Sequence, residues 1–282
     1  MSKIKIICDS LCDLDKSIVE QNDIEMIPLT VIIGEKEYRD GIDISKDDFY
    51  KMLRNENVYP KTSQVTYGQF KEIFGKYNKD EDTSILYIAA SSSATGTCQS
   101  AIMAKNDMSG DIRVFDSQQV CYGIARYVIE AIKLREEGKT IDEIVEALEA
   151  MKEKVFVMFC TDTLEYLQKG GRISSTKAAI GNILNIKPIL YVKDGLVSQL
   201  SQVRGKRNLV SKMVELTKDE CGDLSGQTVY VGYTDNDEDE IKKFMDCVKE
   251  ELHPDNIELF QIGTGIGTHS GPGAMGIICL KK

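Results

Sequence analysis

Five hydroxyls fall within seven residues in Ser91-Ser92-Ser93-Ala94-Thr95-Gly96-Thr97, with one glycine among them. The apolar stretch Ser84-Ile85-Leu86-Tyr87-Ile88-Ala89-Ala90 precedes this run, and Cys98-Gln99-Ser100-Ala101-Ile102-Met103-Ala104, which reads as a helix, follows it. A buried parallel strand therefore feeds a small-residue turn and then a helix start. In α/β proteins, ligands collect where strand carboxyl ends meet helix N-termini, because free N–H groups there point at anions. The hydroxyls add donors without charge, and Gly96 permits close approach of the backbone, which suits a carboxylate or a phosphate. The same residue types also cap helices with no ligand involved.

The elements that must position this turn follow from the pattern around it. Ile4–Cys8 reads as a strand with a helix near Asp15–Asn22, and Glu25–Ile33 with Glu37–Tyr38 reads as a hairpin about Gly34. Ser45 and Asp48 open a helix through Leu53, Pro60 ends that segment, and Lys61–Gln64 follows as a polar loop. Thr66 with Gln69 caps a helix carrying Phe70, Ile73, Phe74 and Tyr77, and Thr140 with Glu143 caps another. Strand and helix alternate to about residue 153, the signature of an α/β doubly wound, mostly parallel sheet. Beyond it, Ile189–Val192 and Leu196–Leu200 flank Lys193-Asp194-Gly195 as a hairpin. A helix near Asn208–Thr217, strand Thr228–Tyr233, helix Glu238–Leu252 and strand Gly276–Leu280 complete this half. The expectation is an N-terminal domain over 1–154 and a C-terminal α+β domain over 155–282 with an antiparallel or mixed sheet, the ligand lying between them.

Composition narrows the partners. With 35 Lys and Arg against 45 Asp and Glu, the net charge is -10, which disfavours nucleic acid and anionic membrane surfaces. No apolar run approaches ~20 residues, so no transmembrane segment is expected. Met1-Ser2-Lys3-Ile4-Lys5-Ile6 lacks a signal peptide's apolar core, so a cytoplasmic location is expected. Eight cysteines show no C-x-x-C spacing and mostly sit in apolar runs, where they behave as small hydrophobes. With only two histidines, a zinc site is not expected, and no cofactor is called for. Gly263, Gly265 and Gly267 resemble a dinucleotide fingerprint, but too little chain follows them for the rest of a βαβ unit. A P-loop and a Gly-x-Ser-x-Gly elbow are both lacking. No carboxylate pair is placed for acid–base work.

What recurs is a set of four polar clusters, expected in loops: Pro60–Gln64, Ser91–Thr97, Gly170–Ser174 and His269–Gly273. Together with Pro28-Leu29, Tyr38-Arg39-Asp40-Gly41, Asp116-Ser117, Gly170-Gly171-Arg172-Ile173, Lys187-Pro188 and His269-Ser270-Gly271-Pro272-Gly273, they run in order along nearly the whole chain. In this the sequence resembles the DegV family, the fatty-acid-binding subunits of bacterial fatty acid kinase. It departs from the family pattern at Cys8-Asp9-Ser10-Leu11, where Thr-Asp-Ser-Thr is usual, at Val65 in place of proline, and at Thr95 where serine is commoner. Thr95 keeps the hydroxyl.

The resemblance implies one long-chain fatty acid, of the C16–C18 class, held between two domains by a non-catalytic, lipid-binding protein. It places the carboxylate at Thr62 and Thr95, with His269 close by and Arg172 in a bordering motif. Ser63, Ser92 and Gly96 complete the candidate set. Arg204 matches a position linked to phosphoryl transfer by a partner kinase, which would form the acyl phosphate. The energetics agree with hydroxyls at the head: burying a C16 tail at ~0.8 kcal/mol per CH₂ supplies on the order of 10 kcal/mol. The head contacts then need only orient the carboxylate and offset its desolvation. The rival reading is a lipid hydrolase or acyltransferase using a serine of the Ser91–Thr97 run.

Overall fold

The computed structural model describes residues 3–56, 58–79, 82–173 and 186–282. A four-stranded, all-parallel sheet is built from β1 (Lys3–Asp9), β2 (Glu25–Ile27), β6 (Thr83–Ala89) and β7 (Ile112–Asp116), in the order β2-β1-β6-β7. Every residue of β6 is buried, as expected of a parallel strand covered on both faces. Helices α1 (Lys16–Gln21), α3 (Tyr67–Tyr77), α4 (Thr97–Asn106), α5 (Tyr122–Glu136) and α6 (Ile141–Met151) accompany it. The chain winds outward in one direction from β1 to β2 and in the other from β6 to β7. The carboxyl ends of β1 and β6 therefore flank a topological switch point, the usual ligand crevice of such sheets.

A three-stranded antiparallel sheet, β4-β3-β5, stands beside it, made of β3 (Thr30–Ile33), β4 (Lys36–Arg39) and β5 (Lys61–Ser63). Two expectations are corrected here. Lys61–Ser63 is a strand rather than loop, because Thr62 pairs with Val31 and Ser63 with Thr30. Glu25–Ile33 is split between two sheets, with Glu25–Ile27 pairing to β1. Helix α2 (Lys46–Glu56) packs Phe49, Tyr50 and Leu53 against Val31 and Ile33.

The remaining chain forms one six-stranded mixed sheet in the order β10-β9-β8-β13-β11-β12. Its strands are β8 (Val155–Cys160), β9 (Ile186–Lys193), β10 (Leu196–Arg204), β11 (Thr228–Tyr233), β12 (Asn256–Gln261) and β13 (Met275–Leu280). Only β11 and β12 run parallel. Alternation sorts its two faces. Phe156, Met158, Val229, Val231, Ile277 and Cys279 face helices α8 (Leu209–Cys221) and α9 (Glu238–Leu252). Val155, Val157, Tyr230, Phe260 and Ile278 join the core of the N-terminal half, so that core runs on past residue 154. Seven of the eight cysteines are buried and all eight are free thiols.

The sequence reading omits β12 and two short helices, α7 (Glu165–Lys169) and α10 (Thr264–Ser270). Thr264-Gly265-Ile266-Gly267 has poor helix propensity, and packing overrides it. A Cβ at Gly265 would lie 2.6 Å from Asp40 Oδ2, and one at Gly267 would overlap the Tyr50 hydroxyl. The glycines let α10 settle onto α2 and the loop after β4. His269 and Ser270 thus close a helix, whereas Gly271–Gly273 remain loop.

Candidate functional site

A cavity opens at the switch point. The turns that follow β1, β6 and β7 contribute Leu11, Ala90, Ser93, Ala94, Thr95, Val120 and Cys121, and the six-stranded sheet answers with Val157, Phe159, Gly232, Phe260, Gly276 and Ile278. Thr62, Arg172 and His269 bound it on the polar side. An adjoining, more polar chamber shares Thr62, Arg172 and His269 and adds Tyr59, Lys61, Tyr166, Lys169 and Thr268. The four residues Thr62, Thr95, Arg172 and His269 therefore lie in the wall of one cavity, and three of them also face a second.

Thr62 is the middle residue of β5, turned to the same face as its buried partner Val31. Neighbouring strand residues point to opposite faces, so Ser63 is turned outward and exposed. Thr62 Oγ1 lies 2.9 Å from His269 Nε2. His269 Nδ1 is buried without a hydrogen-bond partner against Gly170, where a Cβ would overlap it. A bare ring nitrogen costs less there than an unpaired N–H, so Nε2–H donates to Thr62 and the threonine's own hydrogen is free. Burial, with the nearby Arg172 charge adding to it, lowers the imidazole pKa to about 4, so His269 is neutral at physiological pH.

Arg172 bridges two segments. Its Nε donates to Ala94 O at 3.3 Å and its Nη1 to Gly170 O. It is the one formal charge among the four polar wall residues. Thr95 sits just before α4, whose N-cap, Gly96, offers no side-chain hydrogen bond. Thr97 N–H donates to Thr95 Oγ1 at 3.3 Å, and the two threonine hydroxyls are 3.0 Å apart. Val65 N–H donates to Thr97 Oγ1 at 3.4 Å. Either hydroxyl of the pair can donate to the other, and the arrangement with Thr97 as donor leaves the hydrogen of Thr95 for the cavity.

The other candidates stand elsewhere. Ser92 Oγ donates to Asp116 Oδ2 at 2.5 Å, and its N–H is held by the same carboxylate at 3.2 Å. Gly96 does not make room for a ligand: a Cβ there would overlap Gln64 Oε1, so the side chain it admits is Gln64. Arg204 is exposed at the end of β10, while Leu196 at the strand's start lines the cavity; eight residues at about 3.3 Å each separate them by roughly 26 Å. Ser174, the last residue of the third cluster, lies outside the described residues.

Of the serines in the run, Ser91 Oγ donates to Gly195 O at 2.7 Å and Ser92 Oγ to Asp116. Ser93 lines the cavity with its N–H bonded to Ser91 Oγ at 3.2 Å. His269 Nε2 is in contact with Thr62 rather than with any of the three. The second histidine, His253, is exposed at the end of α9. Among the described residues no cluster of three or more His, Cys, Asp or Glu is arranged to hold a metal, and no helix is long and apolar enough to cross a membrane.

A brace of buried acids beneath the site is not visible in the sequence. Asp40 accepts from Ser10 Oγ at 2.7 Å and from Thr264 Oγ1 at 2.6 Å. Asp13 accepts from Gly263 N–H at 2.9 Å and from the Cys121 thiol at 3.0 Å. Both carboxyls thus fasten the start of α10, the helix that carries His269, to the turn after β1. Desolvation raises the Asp13 pKa to about 7 and that of Asp9, bonded to Tyr87 at 2.7 Å, to about 6. The Asp of Tyr38-Arg39-Asp40-Gly41 is therefore a support for the site.

Comparison with known proteins bears on the family and the fold. A family described as uncharacterised proteins of the DegV family matches residues 3–282. A DegV domain-containing protein of Caldanaerobacter subterraneus is 34% identical over 283 residues, spanning 100% of both chains. Among solved structures, a fatty-acid-binding DegV family protein from Thermus thermophilus superposes with a TM-score of 0.90 at 27% identity, covering 99% of this chain and 100% of its own. A stearic-acid-binding protein from Eubacterium ventriosum does so at 0.87 and 27%, covering 99% and 98%. With the match running from the first strand to the last, this chain belongs to the DegV family.

Proposed function

We propose that this protein binds one long-chain fatty acid, of about C16–C18, in the cavity between its two halves, 1–154 and 155–282. The tail lies along the apolar wall, and the carboxylate meets Thr62, Thr95, His269 and Arg172. One observation carries this reading. An apolar cavity is bounded by two threonine hydroxyls, a neutral histidine in contact with one of them, and a guanidinium. That inventory complements one carboxylate on an alkyl chain. The fatty acids named for the Thermus and Eubacterium proteins support the same class of ligand.

The protein acts as a carrier rather than a catalyst. Ser91 and Ser92 are bonded to Gly195 O and Asp116 rather than to a histidine, and the polar chamber outside Thr62 and His269 leaves a bound carboxylate within reach of solvent. This suits a partner kinase that phosphorylates the carboxylate in place, with Arg204 on the exposed docking side. The test is a titration of delipidated protein with palmitate and with methyl palmitate. The tail is the same, so tight binding of the acid and at least tenfold weaker binding of the ester support a head-group site. Equal affinities contradict it.

A further inference from the structure

The wall facing the tail contains an arrangement that the head-group chemistry does not use. Across four adjacent strands the register aligns Phe260 of β12 with Gly232 of β11, Gly232 with Gly276 of β13, and Gly276 with Phe159 of β8. Residues paired across strands project to the same face, and all four line the cavity. The result is a trough whose floor is two side-chain-free positions and whose banks are two phenyl rings.

The rings are not placed alike. Phe260 folds over its neighbour: a Cβ on Gly232 would lie 2.6 Å from its Cζ and 3.0 and 3.2 Å from the two Cε atoms. Its outer side is backed by Tyr122, ring centroids 4.5 Å apart, and Tyr122 in turn stacks on Tyr230 at 4.5 Å. Gly276 is free of that ring, and a Cβ there would meet Met158 O at 3.0 Å and Phe159 Cβ at 3.1 Å. With Gly232 below and Tyr122 behind, the side of Phe260 left open is the cavity.

We propose that Phe260, seated on Gly232, is the specificity-determining residue for acyl-chain length, its ring setting how much alkyl chain the trough accepts. This deepens the fatty-acid reading and rests on it. Two substitutions move the ring's volume in opposite senses. Phe260→Ala empties the space over Gly232 and lengthens the trough, whereas Gly232→Ala lifts the ring off its seat into the cavity and shortens it. A purely structural role for the row would lower stability without sorting ligands by length.

The experiment equilibrates each delipidated protein with an equimolar mixture of C14, C16, C18 and C20 saturated fatty acids and reads the bound composition by native mass spectrometry. Each additional CH₂ that gains burial is worth about fourfold. The expected result is a shift toward longer chains of at least fourfold in the C18:C16 or C20:C18 ratio for Phe260→Ala, a smaller one for Phe260→Leu, and a shift toward shorter chains for Gly232→Ala. An unchanged distribution in the Phe260 variants, or shifts of one sign in Phe260→Ala and Gly232→Ala, overturns the assignment. If Gly232→Ala does not fold, the graded Phe260→Leu and Phe260→Ala pair decides alone. Wild-type protein that takes up none of the four acids contradicts the fatty-acid reading itself, a separate result.

Discussion

Thr62 Oγ1 and His269 Nε2 meet at 2.9 Å across 207 residues of sequence, joining an edge strand of the small sheet to the last helix. Since His269 is neutral and its Nδ1 is buried against Gly170, this contact turns the threonine's hydrogen toward the cavity. The imidazole of the pair faces a threonine hydroxyl rather than a serine one, and on the proposed reading that hydroxyl receives the carboxylate.

Removing the hydroxyls should weaken binding without unfolding the protein. Thr95→Ala is expected to lower fatty-acid affinity by roughly 1–3 kcal/mol, the value of a hydrogen bond to a charged group. The double variant Thr62→Ala, Thr95→Ala should lose more, with circular dichroism unchanged. Titration calorimetry checks this, and wild-type affinity in the double variant removes both residues from the site.

His269→Ala should weaken binding, because Thr62 then loses its orienting partner. The wild-type imidazole, with its pKa lowered to about 4, stays neutral from pH 6 to 8. Loss of binding in His269→Ala at pH 7 should therefore be matched at pH 6 and pH 8. A His269 contribution that appears only at acidic pH would mean that the charged ring, rather than the neutral one, does the binding.

The Asp13 carboxyl supplies a stability signature of definite sign. Its folded pKa, raised to about 7, exceeds its ordinary value of 3.8, so between these limits the folded state holds a proton that the unfolded state releases. That contribution is fully present at low pH and is lost as pH rises toward 7. Asp13→Asn keeps the shape and removes the titration. Relative to this variant, the wild type should be more stable at pH 5 than at pH 7.5, measured by urea denaturation. The readout is circular dichroism, since the chain has no tryptophan. A difference independent of pH, or of opposite slope, refutes the assignment.

Arg204 separates binding from hand-over. It is exposed at the end of β10 remote from the cavity residue Leu196, in a basic Arg204-Gly205-Lys206-Arg207 segment of an acidic protein. On the proposed reading this segment, in which Lys206 is paired with Glu240, is where the partner kinase docks. Arg204→Ala should bind fatty acid as the wild type does and support acyl-phosphate formation poorly when a cognate kinase and ATP are added. Equal loss of both activities places Arg204 at the lipid, and loss of neither leaves it a solvated surface residue.

Local chemistry was legible in the sequence, and long-range register was not. The capping boxes Thr66–Gln69 and Thr140–Glu143 both form, and Asp194 and Gly195 adopt positive φ at the hairpin tip, because each is decided within a few residues. The polar wall residues Thr62, Thr95, Arg172 and His269 were singled out by the family resemblance rather than by local chemistry, and the fold places all four in one cavity wall. Which hydroxyl of Thr62-Ser63 faces inward depends on how β5 pairs with β3, some thirty residues away. Ser92 was indistinguishable from its neighbours until the fold brought Asp116 to it. The glycine–phenylalanine trough exists only once four strands from residues 159 to 276 lie side by side.

The central claim is that the cavity holds a fatty acid by its carboxylate. Native mass spectrometry of the protein purified from cells, without added lipid, tests it most directly. A single non-covalent adduct with the mass of a C16–C18 fatty acid is expected on the wild type, diminished on Thr62→Ala, Thr95→Ala. A covalent acyl-serine, or no lipid at all on a folded protein that also fails to bind added palmitate, would contradict the account.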